Sequence, residues 1–380
     1  MNKYWKIILP LLFALAVLFG LAQRNSDPYL GFKSKTVNYQ HDSAPDKSLA
    51  QYFTEAENYA KTNKPNSLTF LAAGDIVLSR KVALKIKKSA DPLLPFSKMK
   101  DLLNSVDFSF ANLESPANGT ENFNAGETLV FNAPKNYLIG LSKFKFKILN
   151  LANNHALDQG QKGLEFTAKY LDENNISHVG TGKNLEDAWQ PAVIEQNGIK
   201  ICFIGASYAS INDGGKTVND YVARIEDVEN LKLKIKNSKS RCDFVVATMH
   251  AGVEYKRNPN QAQIDFAHTA IDAGADLVIG HHPHWIQTTE LYKEKYIFYS
   301  LGNFIFDQMW SQDTREGLVL KIQLTKTPTP SLQGTPVPAK LDSIELIPVI
   351  IDNYSTPRPT TETESKKILE KIDLKENILK

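Results

Sequence analysis

Short apolar runs that end on a polar or charged residue recur along this chain, separated by stretches of helical period. Strand-like runs fall near 68–74, 107–112, 146–152, 243–249 and 275–280, and helix-like stretches near 97–105, 160–174, 224–238 and 260–273. Strands alternating with helices predict βαβ units around a largely parallel sheet, hence an α/β fold. Two regions break the alternation. Ala192 to Ala206 reads as a hairpin turning at Asn197-Gly198, a dipeptide suited to positive φ at both positions. Residues 288–302, 318–326 and 341–351 read as antiparallel strands that extend the fold into a second sheet. Thr325 to Ala339, rich in Pro and Thr, reads as an exposed loop, and 361–380 as a charged, helix-compatible tail.

The N-terminal pattern differs. Lys3 and Lys6 precede an apolar run from Ile7 to Ala22, followed by Gln23-Arg24-Asn25 and Asp27. A basic segment before an apolar one is a secretion signal. The run is slightly short of the roughly 20 residues of a comfortable membrane span. An uncleaved anchor is preferred, with removal after Gly20-Leu21-Ala22 as the alternative. Both place the body outside the cytoplasm, at the cell membrane or secreted. No cysteine follows the run, which excludes a lipoprotein anchor. The expected organisation is an anchor or signal over 1–23, a polar linker over 24–66 with a helix-compatible stretch from Ser48 to Thr62, one main domain over 67–352 and a tail over 353–380.

Charge changes little. With 44 basic and 42 acidic residues the net charge is +2, and no concentrated basic face marks a nucleic-acid partner. Lys81, Lys85, Lys87 and Lys88 read as a solvated helix face. Cys202 and Cys242 lie in or beside apolar runs without a spaced framework, so buried free thiols are expected.

The candidate chemistry sits where the apolar runs end, because ligands of an open α/β sheet bind outside the carboxyl ends of its strands. One run ends on Gly74-Asp75, a second on Asn112-Leu113-Glu114, a third on Asn153-Asn154-His155, a fourth on His250 and a fifth on Gly280-His281-His282-Pro283-His284. Strand alternation puts Asn112 and Glu114 on one side, and His282 and His284 on one side if the segment is extended. Carboxylates, amide oxygens and imidazoles converging on one rim suit one or two divalent metals. Each element also has a plainer reading: Asp75 as a helix cap, Glu114 as an exposed strand end, Asp158 as a cap for the helix near Gly160 rather than a partner of His155. Arg80 is either a substrate cation or, by preference, a surface one. Asn303 and Asp307 stand at a further strand end and can line a pocket. His41, His178 and His268 belong to no cluster.

In this order the motifs resemble the CapA family of capsule-synthesis proteins, which includes poly-γ-glutamate biosynthesis proteins; Ser300-Leu301-Gly302-Asn303-Phe304 completes the pattern, and the resemblance covers about 67–310. That family is similar to the calcineurin-like metallophosphoesterases, which implies a four-layer α/β/β/α sandwich with a two-metal site. The resemblance implies metal ligation by Asp75, Glu114, Asn154, His250, His282 and His284. It further implies a catalytic His155 with Asp158, and substrate contacts from Asn112, His281 and Asn303. Val77 stands where the superfamily has a histidine, Glu114 where it has an aspartate, and Ala156 where it has the acid that orients the catalytic histidine. The expected cofactor is two divalent ions, Mn, Fe or Zn. The expected partners are an anionic capsule polymer, the membrane and other capsule-synthesis membrane proteins. The function implied is capsule biosynthesis or export, with metal-assisted phosphoester hydrolysis. The alternative is a non-catalytic polymer-binding or assembly subunit.

Overall fold

Two sheets face each other through a shared core, and each carries helices on its outer side. The computed structural model describes residues 65–123, 125–126, 129–210, 220–327 and 338–372. The anchor, nearly all of the linker, the helix-compatible stretch from Ser48, and most of the Pro/Thr-rich loop lie outside them. Among the described residues no helix is long and apolar enough to cross a membrane.

The strands are β1 (Asn66–Ile76), β2 (Phe108–Leu113), β3 (Phe146–Asn150), β4 (Ser177–Val179), β5 (Ala192–Gln196), β6 (Ile199–Ser207), β7 (Phe244–His250), β8 (Leu277–His281), β9 (Thr289–Tyr292), β10 (Lys295–Phe298), β11 (Asn303–Ile305), β12 (Glu316–Lys326), β13 (Lys340–Asp352) and β14 (Thr356–Pro359). The first sheet has the order β14-β13-β12-β1-β2-β3-β4, with β11 also on β1, and the second the order β5-β6-β7-β8-β10-β9. The helices are α1 (Arg80–Ser89), α2 (Lys100–Asn104), α3 (Ile139–Lys143), α4 (Gly160–Glu173), α5 (Leu185–Ala188), α6 (Val228–Lys239), α7 (Gln261–Asp272), α8 (Gln312–Arg315) and α9 (Glu362–Glu370).

Period-two alternation explains the layering. In β1, Leu68, Phe70 and Ala72 enter the core between the sheets, and Leu71 and Ala73 enter the outer one. In β6, Ile201 and Phe203 face inward while Cys202 and Ile204 face outward. Strands buried on both faces read as continuous apolar runs, which is why their sequences showed so little alternation. Between the sheets the rings of Phe70 and Phe108 stack at 5.1 Å, and those of Phe110 and Phe203 at 5.3 Å. Val82 and Ile86 of α1, Leu103 of α2, Leu141 of α3 and Leu171 of α4 cover the first sheet. Leu231 and Ile235 of α6 with Phe266 and Ala270 of α7 cover the second. The result is the expected four-layer α/β/β/α arrangement.

The hairpin forms as read, with Asn197 at φ 53° and Gly198 at φ 73°. The late antiparallel strands divide: β12 and β13 extend the first sheet and β9 and β10 the second. Residues 356–372, assigned from sequence to a charged tail, contribute β14 on β13 and α9, whose Ile368 is buried. The cysteines depart from expectation. Cys202 and Cys242 form a disulfide, with Cα atoms 5.8 Å apart and a sequence separation of 40. Residues this remote meet because β6 and β7 are parallel neighbours, pairing Cys202 with Val245. Sequence spacing carries no trace of that register.

The bond constrains the unfolded chain, so Cys202→Ala/Cys242→Ala is expected to lower stability by about 3 kcal/mol, read from denaturant unfolding. Thiol titration of the unfolded, unreduced protein should find no free thiol.

Candidate metal centre

Parallel pairing brings the strand ends into one rung. Asp75 pairs with Asn112 across β1 and β2, Asn112 with Asn150 across β2 and β3, and His250 with His281 across β7 and β8. The loop before β11 then closes over β1: the Asp75 amide donates to the Gly302 carbonyl at 3.0 Å. A Cβ on Gly74 would stand 2.0 Å from that same carbonyl oxygen, so only glycine permits this approach.

The rung delivers a buried cluster. Asp75, Glu114 and His250 have no exposed surface, and His282 and His284 are 3% exposed. Asp75 Oδ2 lies 3.5 Å from His284 Nδ1, and Glu114 Oε1 lies 3.9 Å from both His284 Nε2 and His250 Nε2. His250 Nε2 is 2.7 Å from Asn154 Oδ1 and 3.1 Å from His282 Nδ1. All six expected ligands therefore come together. Asp75, Glu114 and His284 offer donor atoms within 4.8 Å of one another, an arrangement able to hold a divalent cation.

The polar atoms test the fit. Among the described residues, both buried carboxylate oxygens of Glu114 have no hydrogen-bond partner. A buried carboxylate left bare is costly, and a cation is the partner that would satisfy it. Burial, then the charges of Asp75 and Glu254, push the Glu114 carboxyl well above its ordinary range. For Asp75 burial acts in the same direction, but hydrogen bonding with His284 and the charges of His281 and His284 outweigh it and hold the carboxyl low. Burial takes His282 down to about 3 and His281 to about 4, and lowers His250 well below the usual imidazole value. Neutral imidazole is the form that ligates metals.

His282 and His284 reach the cluster differently from expectation. β8 ends at His281, and the next residues turn, with His282 at φ 99° and His284 at φ 58°. Left-handed backbone at non-glycine residues is typical of functional sites, where surrounding structure holds it.

The three expected substrate contacts lie deeper than a substrate contact would. Asn112, His281 and Asn303 have no exposed surface. The Asn112 amide donates to Asp75 Oδ1 at 2.8 Å and lies 3.1 Å from His250 Nδ1, while its oxygen accepts from Asn150 and Asn153. Asn303 Oδ1 is 3.0 Å from His284 Nδ1. His281 Nδ1 is 3.6 Å from Asp75 Oδ1 and its ring rests on Phe110. These side chains orient the cluster from beneath.

His155 stands at the edge of the cluster with Nε2 3.9 Å from Glu114 Oε1. Asp158 Oδ2 holds its Nδ1 at 2.8 Å and accepts from the Phe131 amide at 2.6 Å. The cap of α4 is Gln159, so Asp158 orients His155 rather than capping the helix. Among the residues sequence reasoning missed, Phe131 stacks on His155 at 3.9 Å and Tyr208 lies 4.7 Å from His282. Both come from loops without apolar period, which left no signal. Arg80, read by preference as a surface cation, pairs with Asp307 and lies over Phe131 at 4.7 Å. His178 and His268 stand apart, near Asp172 and Glu290; His41 lies outside the described residues.

Residues 69–308 match the family model described as bacterial capsule synthesis protein PGA_cap. The chain belongs to this family. Relatives within reach of sequence comparison include the PGA biosynthesis protein CapA of Bacillus subtilis, 32% identical with 75% of this chain and 77% of that protein covered. The capsule biosynthesis protein CapA of Bacillus anthracis is 29% identical, covering 85% and 81%. Among solved structures, the calcineurin-like phosphoesterase YfkN of Bacillus subtilis is similar at 16% identity and a TM-score of 0.46, covering 81% of this chain and 97% of that one. The carboxylate behind His155 comes from Asp158, three residues on.

Glu114 supplies a stability test. Its proton is held more tightly in the folded state, so the metal-free protein loses stability as pH rises above about 4.5, the ordinary value of the unfolded carboxyl. Glu114→Gln removes that loss: metal-free wild type and variant should match below that pH. Above it the variant should be more stable by about 1–3 kcal/mol, measured by denaturant unfolding in chelator.

Proposed function

We propose that this protein is an extracytoplasmic, membrane-anchored, metal-dependent hydrolase of phosphoester type that acts in the biosynthesis or export of an anionic capsule polymer, poly-γ-glutamate. The observation that carries this reading is Glu114, whose two buried oxygens have no hydrogen-bond partner among the described residues and whose Oε1 lies 3.9 Å from both His250 and His284. Asp75, Glu114 and His284 would hold one ion, and Asn154, His250 and His282, with Glu114 between the two groups, a second. Mn, Fe and Zn suit this mixture of carboxylate, amide and imidazole. Bound cations supply charge neutralisation at the reacting group.

The chain's own residues do the rest. Asn112 fixes Asp75 and His250 together, and Asn303 fixes His284. Asp158 holds His155 by Nδ1, so Nε2 faces the cluster and passes a proton to the leaving group. Phe131, stacked on His155, keeps water from its open face. This histidine–carboxylate pair has no task in a purely structural pocket, which favours an enzyme over an assembly subunit. Two features support the location: the apolar run behind Lys3 and Lys6, and the disulfide, a bond that persists in oxidising compartments. The polymer and other capsule-synthesis membrane proteins are the partners this role implies.

The full chain, purified in detergent, is expected to carry one or two equivalents of metal, lost in His282→Ala/His284→Ala. It should hydrolyse a nitrophenyl phosphodiester. His155→Ala should keep its metal and lose turnover by at least about 100-fold. Absence of metal after reconstitution with Mn, Fe and Zn would sink the hydrolase reading and leave a polymer-binding subunit.

A further inference from the structure

The turn that carries His284 is closed by a ring of hydrogen bonds from residues far apart in sequence. Asn303 fixes the sense of that ring. Its buried side-chain amide donates to the Thr314 carbonyl at 2.8 Å and to Gln308 Oε1 at 3.2 Å. A backbone carbonyl can only accept, so the NH2 end of Asn303 must point at α8. Its oxygen then faces the opposite way, 3.0 Å from His284 Nδ1. An amide oxygen brings no proton to this contact, so the hydrogen belongs to Nδ1. Asp75 Oδ2, 3.5 Å from the same nitrogen, is a second acceptor for it.

The sense propagates outward. Gln308 accepts through Oε1, so Nε2 is the atom that donates to the Tyr255 hydroxyl oxygen at 3.1 Å. With that oxygen accepting, the phenol proton is left for Glu254, a residue at the surface. Burial, then the charge and hydrogen bond of Glu254, push the Tyr255 phenol up, as expected of a phenol that donates to a carboxylate. Two bonds to backbone carbonyls close the ring. The Tyr255 amide donates to Pro283, beside His284, at 2.9 Å, and the Thr314 hydroxyl to Gln308 at 2.8 Å. Every link from His284 to Glu254 therefore runs in one direction. No amide along it can reverse without setting two donors or two acceptors face to face.

We propose that Gln308, Tyr255 and Glu254 are positioning residues that act through Asn303 to keep the ring proton of His284 on Nδ1 and offer Nε2 to a metal ion, an assignment that rests on the metal-centre reading above. Nε2 is the nitrogen on the Glu114 side, 3.9 Å from Oε1. The three residues touch neither ion nor substrate. A metal-bound histidine commonly donates its other ring nitrogen to a carboxylate, which fixes the tautomer and raises ligand basicity. Here the carboxylate at the end of the line is Glu254, reached through two amides and a phenol. Loss of such an outer partner typically costs about 10–100-fold in metal affinity.

Two measurements on the full chain in detergent test the relay. In chelator, two-bond proton–nitrogen spectra of protein labelled in its histidine rings read which nitrogen of His284 bears the proton, with His284→Gln locating its signals. Wild type should show the proton on Nδ1. Gln308→Met, close in shape but without polar ends, should admit the Nε2 form. Zinc affinity, read by competition with a chelating dye, should fall about tenfold in Gln308→Met and in the same direction in Tyr255→Phe, which removes only the hydroxyl. A proton on Nε2 in wild type overturns the proposal. So do His284 signals and zinc affinity that stay at wild-type values in both variants. A wild-type chain that binds no zinc overturns the metal reading instead, and the tautomer in Gln308→Met then decides the relay by itself.

Discussion

Two carboxylates, Asp75 and Glu114, are buried side by side with no exposed surface, and much of the local architecture follows from holding them there. Removing two such groups from water is expensive, and the surroundings compensate for them unequally. Asp75 receives the Asn112 amide and the His282 backbone amide, with His281 and His284 close by. Glu114 receives no hydrogen bond on either oxygen from the described residues. The asymmetry sets their opposite displacements: the better-served carboxyl stays low and the bare one rises. A buried pair compensated this unequally is destabilising by itself, and a cation held at Glu114 would offset that cost.

Holding the pair requires backbone from both sheets. Asp75 and Glu114 come from the first sheet, and His250, His282 and His284 from the second. The inter-sheet core of Phe70, Phe108, Phe110 and Phe203 therefore sets the distance at which carboxylates meet imidazoles. His281 joins the two functions, since its ring packs against Phe110 while Nδ1 faces Asp75. Glycine at 74 lets the loop before β11 press onto β1, and that contact delivers Asn303 to His284. Core packing and site geometry are thus one constraint.

Much of this was legible in the sequence because parallel strands end abruptly on chemistry. Apolar runs buried on both faces stop where the sheet stops, so Asp75, Asn112, His250 and His281 announced themselves by position alone. What stayed hidden depends on register or turns. The disulfide needs β6 beside β7, a neighbourhood no spacing of two cysteines reveals. His282 and His284 were placed together on an extended-strand argument, whereas the chain turns through positive φ and brings them together by another route. Asn112 and Asn303 look like pocket residues in sequence, and only burial distinguishes a side chain that touches substrate from one that orients a ligand. Phe131 had no signal, lying in a loop of irregular pattern.

Phe131 also links Arg80 to His155. One face of its ring stacks on His155 at 3.9 Å, and the Arg80 guanidinium lies over the ring at 4.7 Å. Its amide donates to Asp158, the carboxylate that orients His155. Arg80 in turn is tethered by Asp307, whose other oxygen accepts the Lys81 amide. A chain of contacts therefore runs from the Arg80–Asp307 pair to His155, without passing through Asp75, Glu114 or the histidines of the cluster. The position of His155 is thus tied to the Arg80–Asp307 pair through a single aromatic ring.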